Sequence, residues 1–188
     1  MIKDKFNLSN RTALITGSSG LLGYQHSLAL LDIGADVVLT DIDESKIEDV
    51  KISLQKLYPK NNLYSFVMDV TKKEQIQHVN KKLSSNGVAI DILINNAAID
   101  PKVNLIDDLD KNSRLEDFSL KQWNIECAVG LTGAFLCSQV FGTDMAKRNK
   151  GGVILNISSD LSVIAPDQRL YKKEGVSDNE QPVKPITY

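Results

Sequence analysis

The sequence predicts a doubly wound α/β domain, a parallel sheet covered by helices on both faces. Three observations carry that prediction. Several short runs are apolar along their whole length, as strands buried on both faces are. Amphipathic helical patterns separate these runs. A cluster of glycines stands where the first run meets the first helix.

Thr12-Ala13-Leu14-Ile15-Thr16 is the first strand, ending in glycines. Leu21 to Ile33 then carries Leu21, Leu22, Leu28 and Leu31 at helical spacing and is closed by Gly34. Asp36 to Thr40, with Val-Val-Leu at its centre, is the second strand. Lys46 to Leu57 is a helix with Ile47, Val50, Leu54 and Leu57 on one face, stopped before Pro59. Leu63 to Met68 is the third strand. The helix from Thr71 to Ser84 has Thr71 as its expected N-cap and Glu74 at the capping-box position. Ile90 to Asn95 is the fourth strand, polar only at its ends and at Asp91.

A charge-rich stretch, Asp107 to Asp117, precedes a long helix from about Gly130 to Arg148. One i, i+4 row of that helix is small (Gly130, Ala134, Ser138, Gly142) and is expected to pack on the sheet or on a neighbouring helix. Gly151-Gly152 ends it, and Val153 to Ile157 is the fifth strand. The expected strand order is 3-2-1-4-5, which leaves Val153-Ile154-Leu155 on an open edge as an aggregation hazard. From Pro166 to Thr187 the pattern stops: 22 residues hold 8 charges and 3 of the 5 prolines, a polar loop or insertion rather than core. The 188 residues are read as a single domain.

Composition narrows the function. With 22 Lys+Arg against 24 Asp+Glu the formal net charge is −2, which excludes the basic surface of a nucleic-acid partner. No apolar run approaches the roughly 18–20 residues of a membrane span. The amino terminus has no apolar signal region, so a soluble, cytoplasmic protein is expected. Cys127 and Cys137 lie ten positions apart in one helical stretch. That is about 15 Å along a helix axis, too far for a disulfide, and reduced thiols follow.

The candidate chemistry begins at Thr16-Gly17-Ser18-Ser19-Gly20-Leu21-Leu22-Gly23. Glycine at 17 permits a tight turn, at 20 a close approach of main chain to a pyrophosphate, and at 23 close packing of the helix. The helix N-terminus that follows favours an anion. Gly17, Ser19, Gly20 and Leu22 are the candidate contacts in this turn. Asp41 ends the second strand, 24 residues past Gly17. Its carboxylate can accept from ribose hydroxyls and repels a 2′-phosphate, so NAD is favoured over NADP. Asp43 is the better cap for the next helix, which leaves Asp41 for the ribose.

These motifs resemble those of the short-chain dehydrogenase/reductase family. To the glycine turn they add Asp69-Val70, Asn95-Asn96-Ala97-Ala98, Trp123 and Asn156-Ile157-Ser158-Ser159, and the resemblance runs from about Arg11 to the last residue. It implies a Rossmann fold lacking the family's last strands and helix. Asp69 would then hydrogen-bond the adenine amino group, with Val70 supplying a main-chain contact. Asn95 would brace the sheet, Asn96 and Ala97 would line the cofactor cleft, and Ser159 would hold the substrate oxygen.

Four departures qualify the resemblance. The glycine spacing is that of the extended branch, while the later motifs look classical. Ala98 stands where the family has glycine, and Gly130 where it has a relay asparagine. The Tyr-x-x-x-Lys centre is not complete. A phenol with a pKa near 10 is only about one part in a thousand ionised at pH 7, so it needs a lysine one helical turn away. Tyr171 lies 12 residues after Ser159 but has Gly175 at the lysine position; Tyr188 lies 29 residues after Ser159 and ends the chain. Tyr188 is the preferred acid/base, on the reading that the chain is the front part of a longer enzyme.

The expected function is NAD-dependent hydride transfer between nicotinamide and a secondary alcohol or ketone, such as a sugar derivative. The alternatives are a nucleotide-binding but catalytically inactive domain and, less favoured, a sugar-nucleotide epimerase or dehydratase. Homo-oligomers are the family's habit through the long helix and its successor, and are doubtful for this chain alone.

Overall fold

The computed structural model describes residues 6–99 and 114–184, which fall into two compact units. The first unit comprises residues 6–97 and 129–157 and holds the sheet. Its elements are β1 (Thr12–Thr16), α1 (Leu21–Asp32), β2 (Asp36–Asp41), α2 (Glu44–Leu57), β3 (Leu63–Val67), α3 (Lys73–Ser85), β4 (Ile92–Asn95) and β5 (Val153–Asn156). The helix α4, Leu120–Arg148, contributes its second part to this unit. All neighbouring strands are parallel, in the order β3-β2-β1-β4-β5, as the sequence predicts.

Alternation along the strands fills two cores. Leu14, Val38 and Leu93 point to one face, where they meet Ile76, Val79 and Leu83 of α3 and Cys137, Phe141 and Met145 of α4. Ile15, Val37, Leu39 and Ile94 point to the other, against Leu31 of α1 and Ile47 and Leu54 of α2. Successive residues of a strand face opposite ways, so an apolar run of three supplies both layers at once. β5 is the exception, with every residue exposed on the sheet edge.

Several expectations need correction. The inward face of α1 is Gly23, Ser27 and Leu31, while Leu21 is 82% and Leu22 54% exposed. Small side chains win that face because they let the helix lie close; the Ser27 hydroxyl disposes of its own polarity by donating to Gly23 O at 2.9 Å. Thr71 is not the cap of α3. The Asp69 carboxylate takes both its N–H (2.9 Å) and its hydroxyl (2.7 Å) in a local turn, and the helix starts two residues on behind Lys72.

α4 begins at Leu120, ten residues before the expected start, capped by Ser119, whose hydroxyl accepts from Gln122 N–H at 3.1 Å. It widens to π-type turns at Ala128–Gly133 and Ser138–Gly142. Its 29 residues are long and apolar enough to span a bilayer, against the expectation that no segment would be. Scattered Gly, Ser, Thr and Gln interrupt the apolar run without adding charge, so the average passes although no block does. Cys137, Phe141 and Met145 of this helix lie in the core beneath the sheet.

The second unit comprises residues 98–99, 114–128 and 158–184. It has 3₁₀ turns at Asp160–Ser162 and Gln168–Tyr171. Its polar segment is gathered on Gln181, a buried side chain that donates to Lys173 O (3.0 Å) and Val176 O (2.7 Å) and accepts from Lys173 N–H (2.7 Å). Arg114 donates to Gln181 O at 3.3 Å. Residues 166–184 are tied together by side-chain bonds in place of a strand ladder.

Candidate nucleotide-binding site

Parallel strands bring the carboxyl ends of β1, β2 and β4 to one rim of the sheet, where loops can meet a ligand. The glycine turn sits there and is tied down on both sides. Asn96 donates through Nδ2 to Thr16 O (2.9 Å) and Gly17 O (3.1 Å). The Thr16 hydroxyl accepts from Asn96 N–H and Ala97 N–H, both at 3.0 Å. On the other side Ser18 gives its N–H (3.0 Å) and its hydroxyl (3.2 Å) to Thr40 O.

Two glycines are required by shape. Gly17 has φ +63°, and a Cβ on it would stand 2.9 Å from Ala97 Cα. A Cβ on Gly23 would stand 2.3 Å from Gly17 O. Gly20 has an ordinary φ of −76°, and a Cβ there would meet only Gly17 O, at 3.3 Å. Its lack of a side chain therefore leaves open the approach to the start of α1. No side chain caps α1 and no acidic residue occupies its first turn. A bare, positive helix end behind a glycine fits a phosphate group.

The main-chain amides divide differently from the sequence expectation. Those of Ser18, Ser19 and Gly20 are taken up inside the protein, by Thr40 O, Asp41 and Gly17 O. The amides of Leu21 and Leu22 come next at the start of α1, and the side chains of both residues are exposed.

Asp41 ends β2 beside this turn. Its Oδ2 accepts from the Ser19 hydroxyl (2.6 Å) and Ser19 N–H (3.1 Å), and its Oδ1 from Ile42 N–H (2.8 Å) and Asp43 N–H (3.3 Å). Asp43 caps α2 as expected, accepting from Lys46 N–H at 3.1 Å. The Lys46 ammonium, 2.9 Å away, holds the Asp43 carboxyl below its ordinary range. The exposed Ile42 follows Asp41 on this rim, and Val67, 46% exposed, pairs with Asp41 in the sheet register.

Asp69 uses Oδ1 for Thr71, and its own N–H donates to Gln75 Oε1 at 2.7 Å. Val70 is buried in the core beneath α3. Asn95 braces the sheet. Its Nδ2 lies 2.8 Å from Asn156 Oδ1, 3.1 Å from Ser138 Oγ and 3.4 Å from Ala134 O. Its Oδ1 is buried without a partner among the described residues. The small row of α4 thus meets the ends of β4 and β5 as expected at Ala134, Ser138 and Gly142, the last beside the Ile154 side chain. Gly130 faces open space.

In the second unit Ser159 caps a 3₁₀ turn, accepting from Leu161 N–H (3.1 Å) and donating to Asp160 Oδ1 (3.2 Å). Tyr171 closes the turn at Gln168–Tyr171. Tyr188 lies outside the described residues. Among the described residues no cluster of His, Cys, Asp and Glu could hold a metal ion. Sequence reasoning passed over Thr16 and Thr40. Their signal was a threonine at the end of the first strand and one residue before the end of the second, at the points where turn and sheet exchange hydrogen bonds.

Comparison with known proteins agrees with this geometry. A family model described as short chain dehydrogenase matches residues 11–171. A short chain dehydrogenase/reductase, dpfgG, from Gibberella zeae is 34% identical over 154 residues, covering 81% of this chain and 53% of its own. An NAD-dependent glycerol dehydrogenase from Listeria innocua is 33% identical over 165 residues, covering 88% and 59%. The crystal structure of a gluconate 5-dehydrogenase from Burkholderia cenocepacia, in complex with NADP and tartrate, superposes with a TM-score of 0.75 at 29% identity, covering 88% and 60%. The chain thus spans 53–60% of the length of these relatives.

Proposed function

The chain belongs to the short chain dehydrogenase family, and from that premise we propose that it serves an oxidoreductase that uses NAD in preference to NADP on a secondary alcohol or ketone of a polyol or sugar derivative. The observation that carries the cofactor choice is Asp41, whose carboxylate is held at the end of β2 against the glycine turn. Two unit charges at 4 Å repel by about 4 kcal/mol at a protein surface, enough to disfavour a 2′-phosphate there. The glycerol dehydrogenase relative is NAD-dependent, whereas the gluconate 5-dehydrogenase structure holds NADP; Asp41 favours the first pattern. The polyhydroxylated substrates in those two names and the polar 166–184 segment support the substrate class.

When bound, the nicotinamide would exchange a hydride with the carbon bearing the oxygen. The protein's part is to hold that oxygen and move its proton. Ser159 Oγ donates one bond and accepts one, which leaves a lone pair for a substrate hydroxyl. Receiving a ketone requires its hydrogen to turn from Asp160 to the carbonyl. Tyr188 is the proposed acid/base, taking the alcohol proton on oxidation and returning it on reduction. The cytoplasmic setting and the 166–187 segment as a substrate-side insertion belong to the same reading.

The test is calorimetric titration of the chain with NADH and NADPH. Tighter binding of NADH by tenfold or more, with the gap closed by Asp41→Ala, is expected. Equal affinities in the unmutated chain would falsify the cofactor assignment.

A further inference from the structure

We propose that Ser19 is the positioning residue for this chain's choice between NAD and NADP, because among the described residues it alone anchors the Asp41 carboxylate to the glycine turn. The inference rests on the cofactor reading above and assigns its control to a side chain that never need touch the 2′ position.

Among the described residues four donors meet Asp41. Two of them, Ile42 N–H and Asp43 N–H, belong to the next residues of its own chain and move with it. The other two come from Ser19, 22 residues away across the β1–α1–β2 crossover. Both reach the same oxygen, Oδ2, at 2.6 Å from the hydroxyl and 3.1 Å from the amide. Hydrogen bonds to an ionised acceptor are the strong ones, and the hydroxyl bond is the shorter of the pair.

The consequence is directional. A carboxylate has about four lone-pair sites, and here each has a donor. Three of the donors are main-chain amides that cannot turn away. The Ser19 hydroxyl can rotate, so it alone can cede its place to a ribose hydroxyl, which then supplies the second bond on Oδ2 beside the Ser19 amide. Without that hydroxyl, one of the two bonds between strand end and turn is gone. The half-buried carboxylate can then swing to solvent and let a 2′-phosphate approach. The neighbouring Asp43 cannot replace it, since both its oxygens are engaged with Lys46.

The test measures NADH and NADPH affinity by calorimetry for the unmutated chain, Ser19→Ala, Ser19→Thr, Asp41→Ala and the Ser19→Ala/Asp41→Ala double variant, each checked by thermal melting. Ser19→Ala is expected to cut the NADH preference about tenfold, mainly by tightening NADPH. Ser19→Thr keeps the hydroxyl and should restore the preference. In the Asp41→Ala background, loss of the Ser19 hydroxyl should move the ratio less than about twofold, because its effect runs through Asp41. Should Ser19→Ala not fold, Ser19→Cys, a weak donor of similar size, carries the same expectation. An NADH preference that survives Ser19→Ala or Ser19→Cys, or equal weakening of both cofactors by them, overturns this inference alone. Equal binding by the unmutated chain removes the cofactor reading beneath it as well.

Discussion

Arg148 Nη1 stands 3.1 Å from Asp91 Oδ1, so the last turn of α4 is fastened to the residue that precedes β4. The same carboxylate accepts from Thr12 N–H at 3.1 Å, at the start of β1. Arg148 also donates to Ile90 O and pairs with Asp144. Removing the carboxyl leaves a strand N–H without its acceptor and a part-buried guanidinium with only Asp144 and Ile90 O. Asp91→Ala should lower stability by about 2–4 kcal/mol in urea unfolding. Arg11, 3.5 Å away with a side chain 46% exposed, is a control expected to cost under about 1 kcal/mol when changed to Ala.

Gly23 and Gly20 separate folding from ligand approach. Gly23→Ala would drive a Cβ to 2.3 Å from Gly17 O and 2.7 Å from Ser18 Cα, both main chain. It should destabilise by about 3 kcal/mol or more, or prevent folding. Gly20→Ala meets one atom at 3.3 Å and should fold with a loss under about 1 kcal/mol, while NADH affinity drops about tenfold or more. A Gly20→Ala chain that binds NADH normally would remove the phosphate seat from this turn.

Gly130 lies inside α4 with open space where its side chain would be. Gly130→Ala should therefore raise stability by about 0.5–1 kcal/mol, read as a higher urea midpoint with an unchanged slope. A loss would mean that a neighbour needs the bare backbone.

Burial pushes the Cys137 thiol up from its ordinary 9.0 to about 12. The unfolded chain ionises this thiol first, so stability is present below about pH 9 and drains away as pH rises towards 12. At pH 10 the loss is about 1.4 kcal/mol, and Cys137→Ala should flatten the stability profile above pH 9. In the folded chain at pH 8 the thiol should resist a disulfide reagent, while the half-buried Cys127 reacts.

β5 offers Val153 (58% exposed), Ile154 (39%) and Leu155 (47%) along an edge that no further strand covers among the described residues. The 188-residue chain should self-associate on concentration. Val153→Lys should suppress light scattering without changing the far-ultraviolet spectrum. Unaltered scattering would place the adhesive surface elsewhere.

The fold was legible because its information is local. Apolar runs such as Ala13-Leu14-Ile15 and breaks such as Gly34 and Pro59 mark strands and turns without reference to distant residues. The glycine turn between β1 and α1 was legible for the same reason. What escaped depended on partners far along the chain or on shape. Leu21 and Leu22 look like core, but the sheet accepts Gly23 and Ser27 because they are thin. Asp91 looked like a blemish in a strand until Arg148, 57 residues on, met it. The start of α4 did carry a local mark, Ser119 three residues before Gln122, which went unread beside the charged stretch. The Ser19–Asp41 bond could not be read, since no spacing rule joins a turn hydroxyl to a strand end 22 residues away.

The Asn96 amide closes on Thr16 and Gly17 from about 80 positions downstream. A ribosome making this chain must therefore release nearly a hundred residues before the opening turn gains its final brace, and closing so long a loop is slow as well as costly in entropy. Nucleotide competence is in this sense a late event of synthesis. The first motif translated waits for β4 before it can work.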